Sequence, residues 1–162
     1  MTTATEIEIK LQSQSYIDQD MIKAAFEFWF SNSEHIRSPF PYYIHDKLQL
    51  DATFEFLEWS AKISEKAKKE INDEILAEKF EEIIFEHALK MVLTEDEKLT
   101  IRYPFMLRIG DIIKTKEGTE DKSESTVLDR WYVKRDDFAF MKVKLKNNDS
   151  AEIWEREFGL PE

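Results

Sequence analysis

Three groups of residues in this sequence have the types and spacing to do chemistry. The first is His35, Arg37, His45 and Asp46, which bracket the loop Ser38-Pro39-Phe40-Pro41-Tyr42-Tyr43 and, with Tyr42 and Tyr43, could line a small-molecule or metal site. Two histidines ten residues apart match no common ligand spacing. The plainer reading is two surface histidines flanking a packed loop. The second group is His87 with its neighbour Glu86. A di-metal Glu-x-x-His pair would need a carboxylate three residues earlier, where Ile84 stands, so His87 reads as a core or boundary histidine. The many Asp/Glu pairs could serve as general acids and bases, but on an acidic helix such pairs are solvated faces. Neither a phosphate-cradling glycine loop nor a nucleophile motif is present. The expectation is therefore a protein without catalytic residues, metal or cofactor.

The third group lies on a predicted strand from Phe138 to Lys146. Ala139, Met141, Val143 and Leu145 form an apolar set suited to a core. Phe138, Phe140, Lys142, Lys144 and Lys146 form the other face, two aromatics followed by a lysine ladder. Rings that stack bases beside cations that follow phosphates are the equipment of a single-stranded nucleic-acid surface. The structural alternative is that the rings pack inside while the lysines keep an edge strand from pairing with strangers.

The elements that must position these groups follow from periodicity. From Ala61 to Leu93, and above all over Ile71–Leu93, apolar residues recur at helical spacing. Glu74, Glu78, Glu81 and Glu82 form the opposite, solvated side. Ser64 to Asn72 is polar, either the first half of that helix or a separate short one. A helix from about Asp18 to Ser33 carries Ile22, Ala25, Phe26, Trp29 and Phe30, with Met21 and Phe28 at the shoulders. That stripe is wider than one contact surface needs, so it is either sandwiched inside the fold or half of it meets another chain. Glu6 to Gln12 alternates as a strand. Leu48, Leu50, Ala52, Phe54 and Phe56 alternate as a second, with a helix capped by Asp51 as the competing reading. Thr94-Glu95-Asp96-Glu97 is a capping pattern that predicts a short helix, and Pro104 closes it by Tyr103.

The remainder changes character. Phe105 to Thr115 is strand-like with Gly110-Asp111 interrupting, and Lys116 to Ser125 reads as a disordered loop. Thr126–Lys134, Phe138–Lys146 and Ala151–Arg156 read as strands joined by polar turns. The fold expectation is α+β: N-terminal strands with two principal helices, one of them long, then a small antiparallel C-terminal sheet or SH3-like barrel. The boundary falls between residues 1–103 and 104–162, with the second region packed on the first.

Charge is uneven. The total is −11, but residues 1–101 hold 11 Lys+Arg against 21 Asp+Glu, and residues 102–148 hold 11 against 8. An acidic whole disfavours sequence-blind binding to phosphate backbones or anionic lipid. The absence of cysteine fits a reducing compartment. No signal peptide and no run of about 20 apolar residues is expected, which points to a soluble, cytoplasmic protein. The functional expectation is a non-enzymatic binding or adaptor module acting through protein–protein contacts. Phe28, Trp29, Phe40, Tyr42 and Tyr43 are its candidate contact residues, and a second copy of the chain is one candidate partner. The alternatives are nucleic-acid binding on the C-terminal sheet, and a small-molecule binder or enzyme near the His35–His45 loop.

Overall fold

The computed structural model of the protein describes residues 19–32, 37–63, 65–114 and 123–161. The chain divides into two compact units, Met1–Arg102 and Tyr103–Glu162. The expected strand over Glu6–Gln12 lies outside the described residues.

The described part of the first unit is helical. Its elements are α1 (Gln19–Phe30), a 3-10 turn (Tyr42–Ile44), α2 (His45–Ala61), α3 (Glu65–Lys68), α4 (Asp73–Met91) and α5 (Glu95–Arg102). The pairing of α2 with α4 makes the core. Leu48, Ala52, Phe56 and Leu57 from α2 meet Leu76, Phe80, Ile83, Ile84 and Ala88 from α4, all buried. Asn72 caps α4 by accepting a 2.9 Å hydrogen bond from Ile75 N, which satisfies one of the orphan amides of the first turn. This cap separates α4 from α3, so the polar stretch before it forms a short helix of its own. The exposed side of α4 carries Glu74, Glu78, Glu81 and Glu82 as its periodicity predicts.

The strand expected over Leu48–Phe56 is instead the middle of α2, and Asp51 is not its cap. Spacings of four satisfy both a period of 2 and a period near 3.6, and Leu48, Ala52 and Phe56 are four apart. The deciding residues are Thr53, Leu57 and Ser60, which are buried on the helical face, while Leu50 and Phe54 sit half-buried on its flanks. Asp51 instead faces Lys47 at 3.3 Å, one turn back.

The wide stripe of α1 is used largely inside the unit. Phe26 meets Phe80 edge-on at 5.3 Å, and Trp29 meets Phe85 at 4.9 Å and Phe40 at 6.2 Å. Phe30 stacks on the His45 ring at 4.0 Å. Such aromatic pairs add about 0.5–1.5 kcal/mol each beyond their burial. Only Phe28, packed edge-on against Trp29, is left exposed among the stripe's rings.

The second unit is a four-stranded antiparallel meander, β1 (Ile112–Lys114), β2 (Glu124–Arg135), β3 (Phe138–Asn147) and β4 (Ile153–Gly159), in the order β1-β2-β3-β4. It curls into a half-barrel, so the sheet, rather than a closed barrel, is what forms. Its inner face buries Val127, Met141, Val143 and Leu145, as the alternation along β3 predicts. Trp154 Nε1 donates to the buried Ser125 hydroxyl at 3.0 Å, and the buried Arg130 guanidinium donates to the Leu107 carbonyl at 2.7 Å. Phe105–Ile109, expected to be strand-like, runs as turns and irregular chain. Gly110 at φ +93° and the Asp111 carboxylate, which accepts from Arg108 N at 2.8 Å, bend it before β1 can begin. The hairpin after β3 is held by Asn147, whose side-chain oxygen accepts from Asp149 N and Ser150 N.

Candidate protein-binding surface

The junction between α4 and α5 explains how an aromatic surface is held rigid. Val92 ends α4 in extended geometry, and Thr94 then caps α5. Glu97 N donates to Thr94 Oγ1 at 3.1 Å while Thr94 N donates to Glu97 Oε1 at 3.0 Å, the reciprocal pair of a capping box. The second carboxylate oxygen of Glu97 accepts from the Tyr43 hydroxyl at 2.7 Å, and Leu93 N donates to the same hydroxyl at 3.2 Å. Tyr43 therefore ties the 3-10 turn to the helix junction.

These bonds shift both acids. Partial desolvation pushes the Glu97 carboxyl up, but the donors Tyr43, Thr94 Oγ1 and the amides of Thr94 and Leu93 together outweigh it and hold the group below the ordinary glutamate range. The bond to Glu97 raises the Tyr43 phenol above its ordinary value, desolvation adds to this, and the Leu93 amide opposes it.

What this scaffold presents is apolar. Tyr42, one residue before Tyr43 in the same turn, is 89% exposed, and Leu93 is 83% exposed. Tyr43 itself is half exposed beside Leu93. Of the five expected contact residues, Tyr42, Tyr43 and Phe28 lie at the surface. Trp29 is half-buried, and Phe40 is 4% exposed and belongs to the core. The exposure of Leu93 is not legible in the sequence. The residue reads as the end of a buried stripe, and only the break of α4 at Val92 turns it outward.

Of the histidine loop, the structure describes Arg37, His45 and Asp46. His45 is half-buried, its ring covered by Phe30, and its Nε2 donates to the Phe40 carbonyl at 2.9 Å, which fixes its tautomer. Those bonds give it a structural role. His35 lies outside the described residues. His87 borders an open groove of about 540 Å3, whose polar wall is Lys47, Asp51, Glu55, Glu58 and Lys62. Its Nε2 approaches Glu55 Oε2 at 3.2 Å, close enough for an ion pair when the ring is protonated, but the angle makes no hydrogen bond. Among the described residues, no three His, Asp or Glu side chains converge as a metal would require.

On the sheet's outer face, register places carboxylates against the lysine ladder. Lys142 lies opposite Glu157 on β4, and Lys144 opposite both Glu155 on β4 and Asp129 on β2. Lys142 Nζ is 3.2 Å from Glu155 Oε2. Arg135 grips Glu157 with both terminal nitrogens and covers the half-buried Phe140 ring at 5.6 Å. The hydrogen bond from Arg135 lowers the Glu157 carboxyl; desolvation opposes this, and the Arg135 and Lys142 charges add to it. Phe138, 66% exposed, is the ring on this face left open to solvent, and Lys146 stands opposite the uncharged Ile153 and Thr126.

Compared with family models, curated proteins and solved structures, the chain matches none. No helix among the described residues is long and apolar enough to cross a membrane.

Proposed function

We propose that this protein is a non-catalytic binding module that works by protein–protein contact, with Tyr42, Tyr43 and Leu93 as its anchors. The observation that carries the reading is the Tyr43–Glu97 bond. It immobilises an exposed aromatic and apolar patch on a rigid helix junction before any partner arrives. Side chains already ordered lose little freedom on binding, and tyrosine anchors in particular bring large contact area at low entropic cost. A cysteine-free chain acting through such contacts suits a cytoplasmic protein.

The nucleic-acid reading draws support from Phe138 and from the exposed Lys144 and Lys146. It is the weaker one. Glu155, Glu157 and Asp129 stand opposite Lys142 and Lys144, so a phosphate backbone would meet carboxylates beside two of the three lysines.

The test is affinity capture from cells that produce the protein, comparing the unmodified chain with Tyr42→Ser combined with Leu93→Ser. Both positions are exposed, so the variant should keep its circular dichroism and melting temperature while losing the captured proteins. Retention of the same set by a folded variant would overturn the assignment of the surface.

A further inference from the structure

The second unit carries a sheet edge that no described residue pairs with and whose residue order suits one partner, an inference independent of the surface proposed above. In an antiparallel pair, residues directly opposite either exchange both backbone bonds or both point away from each other. Ala139 lies opposite Lys134, and the Ala139 carbonyl accepts from Leu160 N on the β4 side at 2.9 Å. Lys134 therefore turns its N–H and C=O away from β3, and by alternation so do Tyr132 and Arg130; the Arg130 N–H donates to Asp129 Oδ1 at 2.8 Å, a bond that pairing at Arg130 replaces. The other end of β2 agrees. Val127 N and O bond to Asp111 O and Gly110 N on the β1 side. The break in register between Val127 and Asp129 then brings Arg130 back to the same outward phase. Because β1 is only three residues long and pairs with Glu124–Thr126, none of the described residues pairs with β2 on that side from Tyr132 onward. Tyr132 is 44% exposed there.

We infer that two copies of this chain pair through these edges, antiparallel and two-fold about Tyr132, joining their sheets into one. A continuous sheet must match inner face to inner face, which allows only registers in which residue numbers opposite each other sum to an even value. The register centred on Tyr132 sets Tyr132 against Tyr132 as a hydrogen-bonded pair. On the outer face it sets Trp131 against Val133, and Asp129 against Arg135 on both sides of the axis. Moving the centre by one residue sets Asp129 against Val133 in one direction and against Asp137 in the other. Charge complementarity thus selects one register. Arg135 in the single chain reaches over Phe140 of β3 to Glu157 of β4, so pairing swings its side chain from Glu157 to the partner's Asp129. Arg130 comes opposite Lys134 on the inner face, but its guanidinium is drawn inward to the Leu107 carbonyl. The other open edge, β4, is guarded: centred on Arg156 it would set Glu155 against Glu157.

Sedimentation of the full chain at about 100 micromolar, where a dimer of ~10 micromolar affinity is mostly formed, tests the pairing. The unmodified protein should be a dimer. Asp129→Arg and Arg135→Asp should each weaken it at least tenfold, because each sets like charges opposite one another. An equimolar mixture of the two should recover the dimer, since both 129/135 pairs are then complementary, and a folding defect would give no such recovery. Tyr132→Pro should remain folded and become monomeric, because proline is tolerated where a strand's N–H points outward. A monomer for the unmodified chain, dimers in both single variants, a mixture that stays monomeric, or a Tyr132→Pro chain that unfolds would each overturn the inference.

Discussion

The Tyr43 hydroxyl donates a 2.7 Å hydrogen bond to Glu97 Oε2 across 54 residues of chain. One carboxylate thus serves two purposes, completing the capping box of α5 through one oxygen and anchoring the 3-10 turn through the other. Stability at this junction should therefore depend on pH in a defined direction. Glu97 is held below its unfolded value, so its contribution is complete above about pH 4.3, the ordinary glutamate pKa, and disappears as pH falls through the lower folded value. Tyr43 is raised, so its contribution is complete below about pH 10 and disappears as pH climbs through the higher folded value. Urea melts of the unmodified chain and Glu97→Gln across the acid range should converge as Glu97 protonates. Thr94→Ala should cost about 1 kcal/mol at neutral pH through loss of the cap.

Ala151 sits at φ +63°, a left-handed conformation in the hairpin between β3 and β4 that costs an L-residue roughly 1–2 kcal/mol. Ala151→Gly should raise stability by up to about 1 kcal/mol, the relief of strain being partly offset by the greater freedom of glycine when unfolded. Ala151→Val should lower it. Chemical denaturation of the three proteins side by side checks both signs.

Phe80 is buried between Phe26 and Phe56, with ring centroids at 5.3 and 4.6 Å. Phe80→Ala should destabilise by about 3–5 kcal/mol. Phe28→Ala, on the exposed shoulder of α1, should change stability by no more than about 1 kcal/mol. Equal losses at the two positions would mean that the stripe of α1 is buried on both sides.

The two characters of the chain were legible because each rests on a single clear period. The helical stripe of α4, the alternation of β3 and the capping pattern of Thr94 all appear where they were expected. The Leu48–Phe56 segment is ambiguous in sequence because four-residue spacing is common to strand and helix, and the burial of Thr53 and Ser60 that decides between them is polar and invisible to a hydrophobic pattern. The surface could be read only in part. Phe40 and Tyr42 are both aromatic and two residues apart, yet one is core and the other is solvent-facing, because Phe40 lies in the chain between Pro39 and Pro41 while Tyr42 opens the 3-10 turn that follows, and no sequence period reports that change of direction. Glu97 was recognised as a capping residue, but its partner Tyr43 stands too far away in sequence to be seen. The same is true of Asp129 and Glu155 beside Lys144, whose pairing depends on strand register.

That register gives an expectation for the sheet face. A fluorescence titration of the unmodified chain with a single-stranded oligonucleotide near 0.15 M salt should show no binding below about a micromolar. If phosphates were contacted, log affinity would fall against log salt with a slope of about 0.7 per contact. Lys142→Ala, Lys144→Ala and Lys146→Ala together would then flatten that slope.

The most direct measurement places a photo-reactive side chain at Tyr42 in one version of the protein and at Lys144 in another, and irradiates the cells that make them. The expected result is a discrete set of protein adducts from position 42 and no nucleic-acid adduct from position 144. Nucleic-acid adducts at 144 with no protein adduct at 42 would contradict the account.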